Sequence, residues 1–517
     1  MTDLFVHLWG GIVGSLTPLN VMMLFVGCIL GLLVGALPGL GSVNGVAILL
    51  PITFIVPPET AIIFLCAIYY GAMYGGAISS ITLGIPGAST AVATVFDGRP
   101  MAQAGQADRA LVTAAAASFI GGTIATIMLT LFAPPLAAFA LRFGPPEIFA
   151  LMMLAFATFV GLGGDDIPKT IFSIVIGLVL ATIGLDVITG RPRFIFFDIS
   201  GFYHGVHFLV LAIGIYGIGE MLWTLDQTKS AVQVEKVDTS IGSMFRNLLR
   251  VRQFAGVATM GSFLGFFVGM LPAAGATPAA LMSYGMAKAF SNEPETFGKG
   301  NPKGIAAPES ANNAASCGSL LPMITLGIPG SPTTAILLGG MIIWGLRPGP
   351  LLFTEHPEFV WDLIGSLYLA NIVSLIANIA LIPVFARILT IRFSILAPVI
   401  FILSVVGGYA PLQTVFDVWL MFLFGVVGYA LRKLDYPVAP AVLAIVLGPL
   451  AEESFRQSLL LRQGDILIFF QRPLSAMFMA IALFLFVYPI VMMNLRARRR
   501  RAAAAAGKGE AGQEAQG

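Results

Sequence analysis

Apolar runs long enough to cross a bilayer alternate with short polar intervals along almost the whole chain. A span needs about 20 mostly apolar residues, and such runs fall near 19–36, 60–80, 110–133, 146–163, 168–186 and 206–224. They resume near 254–270, 305–322, 362–386, 395–408, 412–431 and 474–495, with shorter apolar pieces at 43–56, 88–96, 278–290, 332–346 and 438–450. The pattern predicts an all-α polytopic integral membrane protein with roughly a dozen transmembrane segments. The longest polar interval, 226–253, contains Lys229, Lys236, Arg246, Arg250 and Arg252 and splits the chain almost equally. The expected organisation is a first transmembrane repeat (1–225), a polar linker (226–253), a second repeat (254–470), a C-terminal transmembrane helix (471–495), and a basic, then disordered, cytoplasmic tail (496–517).

The two halves share sequence. ITLGIPG occurs at Ile81 to Gly87 and again at Ile324 to Gly330, an offset of 243 from 81 to 324. Upstream, Gly35, Leu37, Pro38 and Gly41 match Gly269, Leu271, Pro272 and Gly275 at an offset of 234, from 35 to 269. The difference is taken up by the polar stretch Ser291 to Gly304, longer than its counterpart in the first half. Each half therefore has two apolar segments broken by Gly and Pro at corresponding places. Paired breaks of this kind are the sequence mark of a transporter binding site, and backbone freed from helical bonding survives at membrane depth only inside protein or beside a wet cavity. Broken helices or re-entrant hairpins meeting near mid-membrane are expected, in two homologous repeats of inverted orientation, by analogy with other carriers of this design.

Composition narrows the function classes. Charged residues make up 10% of the 517, where a soluble domain has about 25%, and mean hydropathy is +0.91. A net charge of +2 offers no field for nucleic acid, and the basic run Arg496 to Arg501 directly follows an apolar segment, as at a cytoplasmic membrane end. Cys28, Cys66 and Cys317 are widely separated and read as buried thiols rather than a metal site. No phosphate loop and no HExxH motif occurs, so neither a cofactor nor a resident metal is expected.

The candidate chemistry gathers at the breaks. Between Ile305 and Pro322, Glu309, Asn312, Asn313 and Ser316 are spaced to share one face of a helix that is otherwise apolar. Such a stripe is expensive in a membrane unless it faces a partner or water, which suggests a substrate or ion path. Glu309 also fits a helix start after Pro308, and the amides also fit interhelical contacts. The offset of 243 carries Asn312 and Asn313 onto Tyr69 and Tyr70, so the halves differ chemically; Tyr70 and Tyr74, at i, i+4, and Asn44 are further cavity candidates. Gly87, Ser89 and Thr90 follow the first break, and Gly330, Ser331, Thr333 and Thr334 follow the second. A half-helix starting there would offer free N–H groups and a positive dipole end to a carboxylate, while its hydroxyls also suit helix capping.

GALPGLG at 35–41, IYYGAMYGGAISSI at 68–81, VFDGRPMAQAG at 95–105, FGKG at 297–300, APESANNAA at 307–315, LGIPGS at 326–331 and GLRPGPLLF at 345–353 together resemble the large permease subunit of tripartite tricarboxylate transporters, the TctA family. The resemblance implies a bacterial inner-membrane secondary transporter importing carboxylates with a cation gradient, H+ or Na+. It also implies two partners, a small TctB-like transmembrane subunit and a periplasmic TctC-like solute-binding protein. A channel, a stand-alone carrier for another small solute, an intramembrane enzyme and a purely structural subunit are the rival readings.

Overall fold

A computed structural model describes residues 2–162, 166–186, 188–196, 199–227, 241–272, 274–388, 393–409 and 413–491. The expected disordered tail lies outside these residues. Ahead of the linker come α1 (Thr2–Gly14), α2 (Pro18–Ala36), α3 (Gly41–Leu49), α4 (Pro58–Thr82), α5 (Val92–Gln103) and α6 (Ala107–Ala140). They are followed by α7 (Pro145–Leu162), α8 (Ile167–Ala181), a two-stranded hairpin of β1 (Gly184–Leu185) and β2 (Pro192–Arg193), α9 (Phe208–Ala212) and α10 (Glu220–Gln227). A π-helical stretch, Ile213–Gly219, joins the last two.

The rest of the chain begins with α11 (Ile241–Leu248), α12 (Ala255–Met270), α13 (Ala276–Ala289), α14 (Pro302–Leu326) and α15 (Pro332–Ile343). Then come α16 (Leu352–Glu355), α17 (Pro357–Ile388), α18 (Phe393–Tyr409), α19 (Val415–Lys433), α20 (Val438–Leu461), α21 (Ile468–Gln471) and α22 (Pro473–Val491). Among the described residues eight helices are long and apolar enough to cross a membrane, or nine if the bent pair Arg246–Gln253 and Ala255–Met270 is one span. Pro145–Gly161, Ile167–Ala181 and Ile395–Tyr409, which the hydropathy pattern also marks, are apolar but shorter.

The centre of the protein is built by glycines that let backbones touch. A Cβ on Gly31 would lie 2.3 Å from the Ile68 carbonyl oxygen, and one on Gly35 would lie 2.2 Å from that of Ala72. The matched positions do the same: Gly265 meets the Ala311 carbonyl at 2.2 Å and Gly269 meets that of Ala315 at 2.3 Å. Small residues at such spacing are what membrane helices use in place of a hydrophobic drive between them. Since partner numbers rise together in both pairs, α2 runs parallel to α4 and α12 parallel to α14.

Polar contacts fix the other directions. Ser118 with Glu309, Gly121 with Ser310, and Thr126 with Cys317 make α6 parallel to α14. Tyr70 reaches Thr126, while Tyr74, one turn later, reaches Asn371, whose amide donates to Thr123 and to the Phe119 carbonyl. Rising numbers on α4 therefore meet falling numbers on α6. It follows that α4 and α14, which carry the matched sequence, run in opposite directions.

Two further contacts orient the ends. Asp108, at the start of α6, accepts from Ser243 and Asn247 of α11, at 2.5 and 2.8 Å. The start of α22 bonds α7 through Ser475 to the Pro146 carbonyl at 3.2 Å, and Leu485 lies beside Gly161 further along. The C-terminal end of α22 thus points to the face that carries α11.

Candidate functional site

Both LGIPG segments turn back into the protein. Gly84 and Gly327 have φ of +73° and +71°, a left-handed conformation that a side chain rarely adopts, and each turns the chain at a helix end. Gly87 then comes back to the level of Gly76, one and a half turns inside the end of α4 and against the carbonyl oxygen of Gly35. Gly330 returns likewise to Ser319 and the carbonyl of Gly269. From these inner points α5 and α15 start outward again.

The four breaks touch in a closed ring. A Cβ on Gly41 would lie 3.1 Å from the Ala88 Cβ; Thr277 donates to Ser89 at 3.1 Å; the Gly275 N–H donates to the Gly330 carbonyl at 3.2 Å; and Ser42 and Thr333 share a hydrogen bond of 3.0 Å. Gly87, Ser89, Thr90, Gly330, Ser331, Thr333 and Thr334 are therefore brought together. The two starts are capped differently. Ser331 forms a capping box with Thr334, whereas the Ser89–Ala91 turn, following Ala88, has no side-chain cap.

The polar stripe of α14 is wholly buried. Glu309 accepts from Thr94 of α5 and, at 3.2 Å, from Ser118 of α6. The Asn313 amide donates to the Glu309 backbone carbonyl at 3.0 Å, and Ser316 donates to the Asn313 carbonyl at 2.7 Å. Asn312 differs. Its residue is 0% exposed, yet among the described residues neither its Nδ2 nor its Oδ1 has a hydrogen-bond partner, and Asn313 Oδ1 has none either. An unpaired buried amide is destabilising by about 1–3 kcal/mol, so native interiors leave few.

Other candidates are held by packing. Tyr70 is bonded to Thr126 at 3.1 Å and Tyr74 to Asn371 at 2.6 Å. Tyr70 and Tyr74 thus fasten α4 to α6 and α17. Asn44 of α3 donates to the Gly39 carbonyl of the preceding break at 3.3 Å.

The sequence profile of the tripartite tricarboxylate transporter TctA family matches residues 21–443, a stretch that includes all four breaks. The chain belongs to the TctA family. It is also 39% identical over 482 residues to an "uncharacterized 52.8 kDa protein in TAR-I ttuC' 3'region" of Agrobacterium vitis, covering 93% of this chain and 95% of that one. An "uncharacterized protein in TAR-II ttuC' 3'region" of the same organism is 37% identical over 217 residues, 42% of this chain and 90% of that one. No solved structure matches. TctA is a transporter family, so the ring of breaks belongs to a multi-pass transport protein.

Two features of this TctA chain escape sequence reasoning. Tyr69 donates or accepts at both Ser319 (3.1 Å) and Ser331 (3.2 Å), linking α4 to the second break. Asp97 of α5 is fully buried and its Oδ1 accepts the backbone N–H groups of Gly298, Gly300 and Asn301 at 2.7–2.9 Å, while Tyr284 donates to Oδ2 at 3.0 Å. The extra polar stretch of the second half is therefore wrapped around a carboxylate of the first. A charged residue beside an apolar run, in VFDGRP, was the available signal.

Proposed function

We propose that this protein is the permease subunit of a binding-protein-dependent secondary transporter that imports tricarboxylates or related small carboxylates, coupled to a cation gradient, H+ or Na+. The observation that carries this is the TctA match running across four chain breaks that contact one another. Two re-entrant helix starts, Ser89–Thr90 and Ser331–Thr334, offer backbone donors and hydroxyls to a carboxylate. Asn312 and Asn313 add amides, and Glu309 is the buried acid through which a coupling cation would act. A small TctB-like membrane subunit and a periplasmic TctC-like binding protein complete the system. Two inverted repeats are supported by the contacts duplicated at offsets of 234 and 243 and by the opposite directions of α4 and α14. One repeat moving against the other would alternate access to the ring.

Uptake of radiolabelled di- and tricarboxylates into proteoliposomes, with and without a candidate binding protein, tests the reading. Uptake is expected to stop when ion gradients are collapsed and to persist when ATP is depleted with gradients clamped; the reverse would make this an ATP-energised subunit. The inner-membrane orientation is testable too. Because Arg246 lies in the last turn of α11, Arg250 and Arg252 follow it, and Arg496 to Arg501 follow α22, the positive-inside tendency assigns both to the cytoplasm. A reporter active only in the periplasm, fused after Gly507, is expected to be silent, and activity there would reverse the topology.

A further inference from the structure

Corresponding positions around the ring are filled on one side and not on the other. Tyr69 corresponds to Asn312, Gly76 to Ser319 and Ala88 to Ser331, each at the offset of 243. On the second-half side, Tyr69, Ser319 and Ser331 are bonded to one another, and Ser331 also caps α15. On the first-half side the same three places hold a shorter amide, a glycine and an alanine. The hydroxyls that would satisfy Asn312 are missing, and its amide has no partner among the described residues. The backbone is the same in both: Ala88 has φ −140° and ψ 160°, and Ser331 has φ −152° and ψ 163°. Only the side chains that would close the position have been removed.

The surroundings of the unfilled side suit an anion. α14, which carries Asn312, packs against the Ser89–Ala91 turn, and Gly76 lies within about 4 Å of Ala88. That turn has no side-chain cap and leads straight into the 12-residue helix α5. Ser89 is exposed and bonded to Thr277, whereas Ser331, Thr333 and Thr334 are buried. An uncapped helix start alone is an ordinary feature; here a fully buried amide without a partner sits on the helix packed against it.

We infer that a carboxylate group of the solute docks at the first-half break, between Asn312 and the Ala88–Thr90 helix start, and that Tyr69, Ser319 and Ser331 plug the equivalent second-half position. This rests on the carboxylate-transport reading and narrows it to one of the two breaks. The carboxylate takes the Asn312 Nδ2–H and the N–H groups that a cap would otherwise engage, and the Ser89 and Thr90 hydroxyls complete the set. The plugged side is then structural.

The test is to build the missing cap. Ala88→Ser is expected to compete for the same donors and weaken apparent affinity about tenfold, with thermal stability unchanged or raised. Asn312→Ala is expected to weaken it by a similar factor, and Ser319→Ala to lower thermal stability with affinity within about twofold of wild type. Affinity is read from uptake of radiolabelled citrate, malate and succinate at varied concentration, normalised to permease in the membrane. Stability is read from thermal unfolding of the full-length permease with and without each acid. Wild-type affinity in both Ala88→Ser and Asn312→Ala, or a Ser319→Ala loss as large as theirs, would overturn the assignment. Should Ala88→Ser prove unstable, Asn312→Ala against Ser319→Ala decides it. A wild-type permease that neither transports nor is stabilised by any of the three acids would overturn the carboxylate reading itself.

Discussion

Asp97→Ala is expected to destabilise the permease by about 3 kcal/mol and to free the loop that Asp97 holds. The carboxylate accepts three backbone N–H groups and the Tyr284 hydroxyl. Bonds to a charged acceptor contribute about 1.5–3 kcal/mol each, and donors left behind in a buried position add their own desolvation penalty. Gly298 and Gly300 sit at φ of +82° and +100°, so without the carboxylate the loop has little reason to keep this path. Asp97→Asn keeps one carbonyl oxygen for the three donors, and a loss of about 1 kcal/mol is expected. Thermal unfolding of purified protein measures the first effect; trypsin cleavage after Lys299 or Lys303 in folded membranes measures the second. A melting curve and cleavage pattern like those of the wild type would show that the loop is held by something else.

Gly269→Ala and Gly35→Ala are expected to be as damaging, for a different reason. Their new methyl groups would fall 2.3 and 2.2 Å from carbonyl oxygens of the facing helices, where backbone and not a flexible side chain must move. Overpacking of this kind is destabilising by about 1–3 kcal/mol and sometimes more, and it separates the helices that position the ring. Gly285→Ala supplies the contrast. It lies within α13 with nothing inside 4 Å of its Cβ, and removing a helical glycine there is expected to add about 0.4–1 kcal/mol. Membrane abundance and melting temperature of the three variants separate close approach from a general intolerance of alanine. Equal behaviour of all three would remove backbone contact as the organising feature.

The breaks were legible because they are made of glycine and proline, whose meaning is local, and because ITLGIPG occurs twice. The polar stripe was legible from its period. What those residues touch was not. Glu309 finds Thr94 and Ser118, at separations of 215 and 191 residues, and isolated hydroxyls in apolar sequence announce no partner. Asp97 was seen only as part of a motif, since its partners are main-chain groups more than 200 positions away that look alike in any sequence. Tyr70 and Tyr74 have the spacing of a cavity lining, but nothing local in the sequence marks Thr126 and Asn371 as the partners of their hydroxyls. Ala88 has no chemistry of its own and gains meaning only when laid over Ser331.

The cross-connection of the ring has a bearing on biogenesis. Ser42 waits for Thr333, which is 291 residues later, and Ser89 waits for Thr277, 188 residues later. At about 5–20 residues per second, the first of these partners is synthesised roughly 15–60 s after its mate. During that interval the early half sits in the membrane with its break residues uncovered, competent to meet lipid, insertion machinery or another nascent chain. The ring can thus close only once residue 333 of 517 has been made, and a ribosome that stalls soon after the linker leaves an inserted half with no ring.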